Sequence, residues 1–187
     1  MESLDEILLE SEDKMEKSVE FLHQEFNGLR TGKASPSLVE NITVDYYGTA
    51  TRLKELAGIA TPEPRLIVIN PYDPSALAAI EKSIMAANVG ITPMNDGRVI
   101  RIPIPELSEE RRKELIKVAK RMSEDQRVAI RNVRREANDL IKDLQKNGNL
   151  SEDDRDAGLG EIQRLTDEHI KQIDDLLATK ETDVMEV

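Results

Sequence analysis

The spacing of apolar residues predicts three long helices, and the first of them spans residues 3 to 29. Its inward positions follow one another at alternating steps of three and four, which is typical of a helix packed in a bundle. Ser3 and Glu6 stand at the spacing of a capping box, so the helix is predicted to begin there. The inward positions are Leu4, Leu8, Ser11, Met15, Val19, Leu22, Phe26 and Leu29.

The second helix is predicted from Ser108 to Lys146, and the third from Ser151 onwards. Gly148 suits the left-handed residue that follows a helix, and Ser151 with Asp154 repeats the N-cap spacing. The inward side of the second helix is predicted to hold Leu115, Val118, Ala119, Met122, Ala129, Val133, Ala137, Leu140 and Leu144. That of the third is predicted to hold Leu159, Ile162, Leu165, His169, Ile173 and Leu176.

Between the first two helices the pattern changes to that of a small α+β module. Apolar and polar residues alternate over short stretches, as in half-buried strands, and Asn95-Asp96-Gly97 supplies hairpin-turn chemistry. Asp73 and Pro74 give an N-cap followed by proline at the first helical position. The predicted elements are strands at 42–47, 66–69 and 99–102, and a helix at 76–87.

Two extended connections join this module to the helices, which gives an α+β fold with an inserted domain. Gly32 and Pro36 break the first helix pattern, and Pro103 with Pro105 prevents a helix at the return. We therefore predict a three-helix bundle from residues 1–30 and 106–187, and an inserted domain from residues 31–105. The predicted hinge residues are Thr31, Gly32, Lys33, Ala34, Ser35, Pro103, Ile104, Pro105 and Glu106.

The composition restricts the class of protein. The 187 residues include no Cys and only 3% aromatic residues, so disulfides and thiolate metal sites are excluded and the core must be aliphatic. No apolar run approaches the roughly 20 residues of a membrane span, and the first residues are acidic where a signal peptide is basic. We expect a cytoplasmic protein with no membrane contact.

Basic residues are concentrated on one side of the second helix. The chain has 26 Lys and Arg against 37 Asp and Glu, a net charge of −11, yet residues 111–135 hold ten bases and three acids. This distribution favours a polyanion bound along one stripe, although the stripe could instead offset acidic neighbouring helices. It comprises Lys113, Lys117, Lys120, Arg127, Arg131, Arg134, Arg135 and Lys142, interrupted by the acid Glu124.

Residue types that carry catalysis are scarce. His23 and His169 have no metal-ligand spacing and are predicted to be ordinary helix residues. No Gly-rich phosphate loop is present. Tyr46 and Tyr47 could stack on bases, but they lack basic neighbours and are better explained as sheet residues. We expect a protein that is not an enzyme and needs no cofactor.

Five short motifs occur in order across the whole chain, at residues 30–38 (RTGKASPSL), 46–49 (YYGT), 81–86 (EKSIMA), 109–113 (EERRK) and 127–135 (RVAIRNVRR). Together they resemble the motifs of bacterial ribosome recycling factors. The resemblance implies a long three-helix bundle with a β/α/β module inserted on a flexible linker, in an L shape like that of transfer RNA. One departure is Lys33, where the family commonly has Arg, which keeps the charge but loses the guanidinium fork.

The resemblance also implies a function, partners and contact residues. It implies a monomer that binds the post-termination 70S ribosome between its subunits and, with elongation factor G and GTP, splits it. The bundle is then expected to contact the 23S ribosomal RNA of the large subunit, while the inserted domain moves about its hinge. The implied RNA-binding residues are Arg131, Arg134, Arg135 and Arg30, together with Arg127 of the same stripe.

Two other classes of function remain open. A general RNA-binding or RNA-chaperone module would share the basic stripe, and it predicts similar affinity for unrelated structured RNA. A coiled-coil scaffold completed by a second chain predicts dimers and an incompletely buried helix seam.

Overall fold

The computed structural model describes residues 3–87 and 91–186. The chain divides into two compact units, the larger from Met1–Thr31 and Glu109–Val187 and the smaller from Gly32–Ser108. The domain ranges expected from the sequence differ from these by at most three residues at each junction, and they include residues 1, 2, 88–90 and 187, which lie outside the described ones.

The elements follow in chain order. They are α1 (Leu4–Asn27), β1 (Thr43–Tyr46), β2 (Thr49–Arg52), α2 (Leu53–Leu56), β3 (Ala57–Glu63), β4 (Leu66–Pro71), α3 (Leu77–Ala86), β5 (Met94–Asn95), β6 (Ile100–Pro103), α4 (Glu109–Lys146) and α5 (Glu152–Met185).

The three helices of the larger unit begin and end where the sequence signals them, with one exception. The capping box forms, because Ser3 Oγ accepts from the N–H of Glu6 and the Glu6 carboxylate accepts from the N–H of Ser3. After α4, Gly148 adopts φ 76°, and the amides of residues 148 and 149 donate to the carbonyls of residues 145 and 144, a Schellman motif. Ser151 caps α5. However, α1 already ends at Asn27, before the predicted residue 29.

Apolar side chains from α1, α4 and α5 form the core of the larger unit. Hydroxyls within this core are satisfied by the carbonyl one turn earlier, as Ser123 donates to Ala119 O at 2.9 Å. The predicted inward side of α4 is confirmed at Leu115, Ala119, Ala137 and Leu144. It is displaced by part of a position, since Ile130 and Ile141 are also fully buried whereas the predicted Leu140 is 38% exposed. Adjacent residues differ by about 100° around a helix, so this displacement turns the opposite, polar face correspondingly.

The smaller unit contains two antiparallel sheets and α3. Strands β1 and β2 form a hairpin, and the four-stranded sheet has the order β3-β4-β6-β5. The three predicted strands and the helix are confirmed, and Gly97 at φ 91° turns the chain between β5 and β6. The sequence analysis missed β2, α2, β3 and β5. Buried in this unit's core are Val39, Val44, Leu53, Leu56, Ala57, Ile67, Ile69, Ala76, Ile80, Ile84, Ile100 and Ile102.

A polar network fastens the β1–β2 hairpin to the start of the α3 region. Tyr46 donates its hydroxyl to Asp73 Oδ2 at 2.7 Å, and the Tyr47 hydroxyl lies 3.1 Å from Ser75 Oγ. The hydrogen bond from Tyr46, followed by those from Ser75, lowers the pKa of Asp73 below its usual range. Tyr46 is therefore a structural residue of the sheet, as the sequence favours, whereas Tyr47 is an exposed turn residue with φ 48°.

Candidate nucleic-acid interface

One face of α4 carries a row of cations that the core holds outward. Ile130, Ala137 and Ile141 point into the bundle and fix the rotation of the helix, which is about 57 Å long for its 38 residues. The opposite face is exposed along several turns. We call it the cationic face, and it consists of Lys117, Arg121, Arg131, Arg135 and Lys142, with Val128 among them and Arg134 at the edge towards α5.

Arg134 and Arg135 offer guanidinium groups that the chain itself barely uses. Among the described residues, Arg134 forms no side-chain hydrogen bond or ion pair, although its side chain is half-buried. Arg135 donates through Nη1 to Asn132 Oδ1 at 3.3 Å, a long bond to a neutral acceptor. Each guanidinium has five N–H donors arranged to grip phosphate with two of them, so both residues can take a phosphate without breaking an ion pair.

Arg127 is committed to the bundle. Its Nε and Nη2 donate to Asp174 Oδ1 of α5 at 2.9 and 2.6 Å, and its Nη1 donates to Glu124 at 3.2 Å. The side chain is 18% exposed. Burial alone would lower the pKa of Arg127, but the bonds to Asp174 and Glu124 outweigh it and raise the pKa. The guanidinium therefore links α4 to α5 and turns its donors towards acids of its own chain.

Glu124 is bonded both to Arg127, which is also bonded to Asp174, and to Arg131 of the cationic face. One carboxylate oxygen accepts from Arg127 Nη1 at 3.2 Å, and the other accepts from Arg131 Nη1 at 3.1 Å. The hydrogen bonds from Arg127 and then Arg131 hold the pKa of Glu124 below its usual range, so it stays charged at neutral pH. Arg131 is thus on the open face but already shares one donor with an acid.

Arg30 lies apart from the other predicted RNA-binding residues. Lys14 of α1 contacts Glu136 of α4 at 3.7 Å, and α1 runs antiparallel to α4. Since Arg30 lies 16 residues beyond Lys14, it is exposed about 20 Å along the bundle from Arg134, beside the N-terminal half of α4. The structure brings together Arg127, Arg131, Arg134 and Arg135, and it leaves Arg30 as a separate position.

Several predicted hinge residues are bonded to the smaller unit. The Ala34 amide donates to Pro64 O at 2.7 Å, and the Ile104 amide donates to Arg65 O at 2.8 Å. Both side chains pack against the core of this unit, and Glu106 pairs with Arg65. Gly32 has φ 76°, and a Cβ there would lie 3.1 Å from Leu107 Cγ. These contacts hold residues 34 and 104–106 within the smaller unit.

Other chemistry has little support in the part of the chain described. Within residues 3–87 and 91–186, no group of three or more His, Cys, Asp or Glu residues could hold a metal ion. His169 is buried and donates through Nδ1 to Leu165 O at 2.6 Å, whereas His23 lies exposed beside Asn27. No described helix is long and apolar enough to cross a membrane.

Three participants in this site were missed by the sequence reasoning. Arg121 and Val128 belong to the cationic face because of the rotation set by Ile130, and Asp174 fixes Arg127 from another helix. A signal for Asp174 was available. Arg127 and Asp174 lie almost equally far from Leu150 in the α4–α5 turn, and two antiparallel helices joined by a short turn bring such positions together.

Comparisons with known proteins agree with this fold. The family model described as ribosome recycling factor matches residues 22–185. The ribosome-recycling factor of Oleidesulfovibrio alaskensis is 52% identical, over 98% of this chain and 100% of its own. That of Halothermothrix orenii is 54% identical, over 95% of this chain and 96% of its own.

Solved structures give the same result. The solution structure of a ribosome recycling factor matches 100% of both chains with a TM-score of 0.80 and 42% identity. A second structure, of the T. thermophilus ribosome recycling factor and the E. coli elongation factor G bound to the E. coli post-termination complex, covers 99% of this chain and 100% of its own, with a TM-score of 0.66 and 42% identity. This chain therefore belongs to the ribosome recycling factor family.

Proposed function

We propose that this protein binds the post-termination ribosome and, together with elongation factor G and GTP, splits it into subunits for a new round of translation. The observation that carries the proposal is the cationic face of α4, held outward by a buried core in a chain of this family. The relative bound with elongation factor G to the post-termination complex supports the same partners here. The chain acts as a monomeric cytoplasmic factor, and GTP hydrolysis belongs to the elongation factor.

The arginines at residues 131, 134 and 135 contact phosphates of the large subunit's 23S ribosomal RNA. Their positions on α4 support these contacts, and so do their N–H donors, most of which are not bonded within the chain's described part. A guanidinium group can bind two phosphate oxygens at once. Arg30 contacts the same RNA at a second place further along the bundle. The resemblance implies that Arg127 contacts RNA; we propose instead that it links α4 to α5, because its donors are already bonded to Asp174 and Glu124.

The larger unit, from Met1–Thr31 and Glu109–Val187, is the RNA-binding bundle in this proposal, and the smaller unit, Gly32–Ser108, is the moving domain. The bonds from Ala34 and Ile104 to Pro64 and Arg65 favour a narrower pivot than the predicted hinge. We place the bending near Thr31 and Ser108, where the two units meet in sequence.

The first experiment measures splitting of post-termination ribosomes by light scattering, with elongation factor G and GTP, for the wild type and Arg134→Ala. The wild type should split ribosomes only when both the elongation factor and GTP are present, and the substitution should lower splitting and large-subunit binding together. Equal affinity for an unrelated structured RNA would favour a general RNA-binding module instead. Dimers in solution would favour a scaffold, although the three helix seams are buried against one another within one chain.

A second experiment tests the moving domain. Replacing both Pro103 and Pro105 by Gly loosens the end of β6 and the segment that joins it to the pivot near Ser108, without touching the cationic face. Binding to large subunits should stay unchanged while splitting falls. Unchanged splitting would contradict a mechanism in which the smaller unit transmits motion through a stiff connection.

A further inference from the structure

Glu124 is an acid placed where an RNA phosphate has to approach. It lies on the same side of α4 as Lys117, Arg131 and Arg135, within about 20° of each around the helix. Its carboxylate is roughly half exposed, and its two oxygens each accept from a different arginine. Glu124 is therefore already bonded to Arg131, one of the arginines proposed to bind phosphate.

One oxygen of the Glu124 carboxylate accepts from Arg127, which is itself bonded to α5. Arg127 uses Nε and Nη2 for Asp174, which fixes its guanidinium against α5, and it presents Nη1 to Glu124 at 3.2 Å. Glu124 thus keeps one firm partner whatever Arg131 does.

Arg131 is the more exposed of the two arginines bonded to Glu124. Its side chain is 38% exposed, and its Nη1 donates to Glu124 Oε1 at 3.1 Å. No other side-chain bond from Arg131 occurs among the described residues, so most of its donors can face a ligand. A phosphate that takes the guanidinium with two parallel bonds either displaces the carboxylate or sits close to it.

We propose that Glu124 is a built-in competitor for RNA phosphate at Arg131, and that it shortens the time for which the protein stays bound to ribosomal RNA. The inference rests on the proposed function of this face. A factor that serves many ribosomes must leave each one, and differences in affinity at one interface appear mainly in the dissociation rate. Glu124 raises the dissociation rate in this proposal while every cation of the cationic face is kept.

Glu124→Gln is the direct test, because the amide keeps the shape and one acceptor for Arg127 but loses the charge. Asp125→Asn is the matched control. Asp125 is the adjacent exposed acid, it forms no ion pair among the described residues, and it points about 100° away around α4. Both substitutions change the net charge by the same amount.

The measurement is the dissociation rate of labelled protein from isolated large subunits, chased with unlabelled wild type. Glu124→Gln should dissociate about two- to five-fold more slowly, the range expected for one exposed ion pair, and Asp125→Asn should change the rate by less than about 1.5-fold. In an Arg131→Ala background the effect of Glu124→Gln should vanish. Thermal unfolding of each variant verifies that the bundle remains folded.

Each of the following results overturns the inference. Faster dissociation of Glu124→Gln would mean that the carboxylate positions Arg131 for RNA. Equal slowing by Asp125→Asn would mean that only net charge matters, and a persistent effect in the Arg131→Ala background would place the competition elsewhere. If Arg131→Ala and Arg134→Ala both bind as the wild type does, the RNA-contacting face itself is wrong; if they bind weakly while Glu124→Gln changes nothing, only the competitor is wrong.

Discussion

Arg127 and Arg134 lie seven residues apart on the same side of α4, and their surroundings predict opposite effects when each is replaced by alanine. Arg127 donates to Asp174 and Glu124, whereas Arg134 has no such partner among the described residues. Removing Arg127 should weaken the bundle and leave RNA binding nearly intact. Removing Arg134 should weaken RNA binding and leave the bundle nearly intact.

The magnitudes follow from the partners. Arg127 makes three hydrogen bonds to charged groups, and each such bond contributes up to about 1.5 to 3 kcal/mol. Because the Asp174 side chain is 53% exposed, we discount their sum to about 1 to 3 kcal/mol for Arg127→Ala. That corresponds to a Tm lower by roughly 2 to 12 °C for a protein of this size. Arg134→Ala should change the free energy of unfolding by less than about 0.5 kcal/mol, since it removes no side-chain bond among the described residues.

Two assays on the same samples separate these effects. Calorimetry gives the unfolding transition of the larger unit, and binding to isolated large subunits across a salt series gives the number of phosphate contacts. Arg134→Ala should lower affinity about ten-fold and reduce the slope of log K against log salt by about one. Arg127→Ala should bind within about two-fold of the wild type at a temperature where it is folded.

The reasoning would be refuted by the reverse pattern. A normal Tm for Arg127→Ala would show that the bond to Asp174 contributes nothing to the bundle. A flattened salt dependence in Arg127→Ala would show that its guanidinium leaves Asp174 to bind RNA. A normal salt slope for Arg134→Ala would mean that Arg134, the arginine with no side-chain partner among the described residues, does not contact RNA.

Three further predictions concern stability and titration. Gly160→Ala should stabilise the protein by about 1 kcal/mol, because the added Cβ would have nothing within 4 Å. Gly158→Ala should lose that gain, since its Cβ would lie 2.8 Å from a leucine methyl of α1. Urea unfolding measures the two free energies, and equal gains would contradict the packing. Ser151→Ala should cost about 1 kcal/mol by removing the N-cap of α5, and an unchanged urea midpoint would contradict that role. Tyr46→Phe should raise the pKa of Asp73 towards its usual value, read by carboxyl-carbon NMR. Because that pKa is lowered in the folded protein, the pair stabilises above the carboxyl's usual pKa and the effect is lost as pH falls through the folded value, so the variant should lose less stability in acid.

The long helices could be predicted because several signals coincide in each of them. A sustained period, a capping serine and a terminal glycine all mark the same ends, as at Ser3, Gly148 and Ser151. Strands β2 and β3 could not, because their residues are largely exposed and the second contains Pro62, so the alternation of buried and exposed positions is absent. Their place is decided by pairing with β1 and β4.

The site was predictable in charge and unpredictable in bonding. Clustered Lys and Arg identify the stripe on α4, since helix geometry alone assigns residues to one side. Which of its arginines are open depends on Asp174, from a different helix, and on the side chain of Glu124. The prolines likewise suggested a hinge that extends to residue 106. The backbone bonds that tie Ala34 and Ile104 to the smaller unit could not be predicted, because their acceptors lie in the turn between β3 and β4, far away in sequence.

The insertion of the smaller unit between α1 and α4 sets the order in which this protein can assemble during its own synthesis. About 80 residues separate Asn27 from Glu109, which takes roughly 4 to 16 s at the usual rates of elongation. Throughout that interval α1 has left the peptidyl-transferase centre while the helices that bury Met15 and Leu22 do not yet exist. The smaller unit can fold during this interval, because the residues that form its core all lie within Gly32–Ser108. The first helix made is therefore the last to find its place, docking onto a newly formed α4–α5 hairpin.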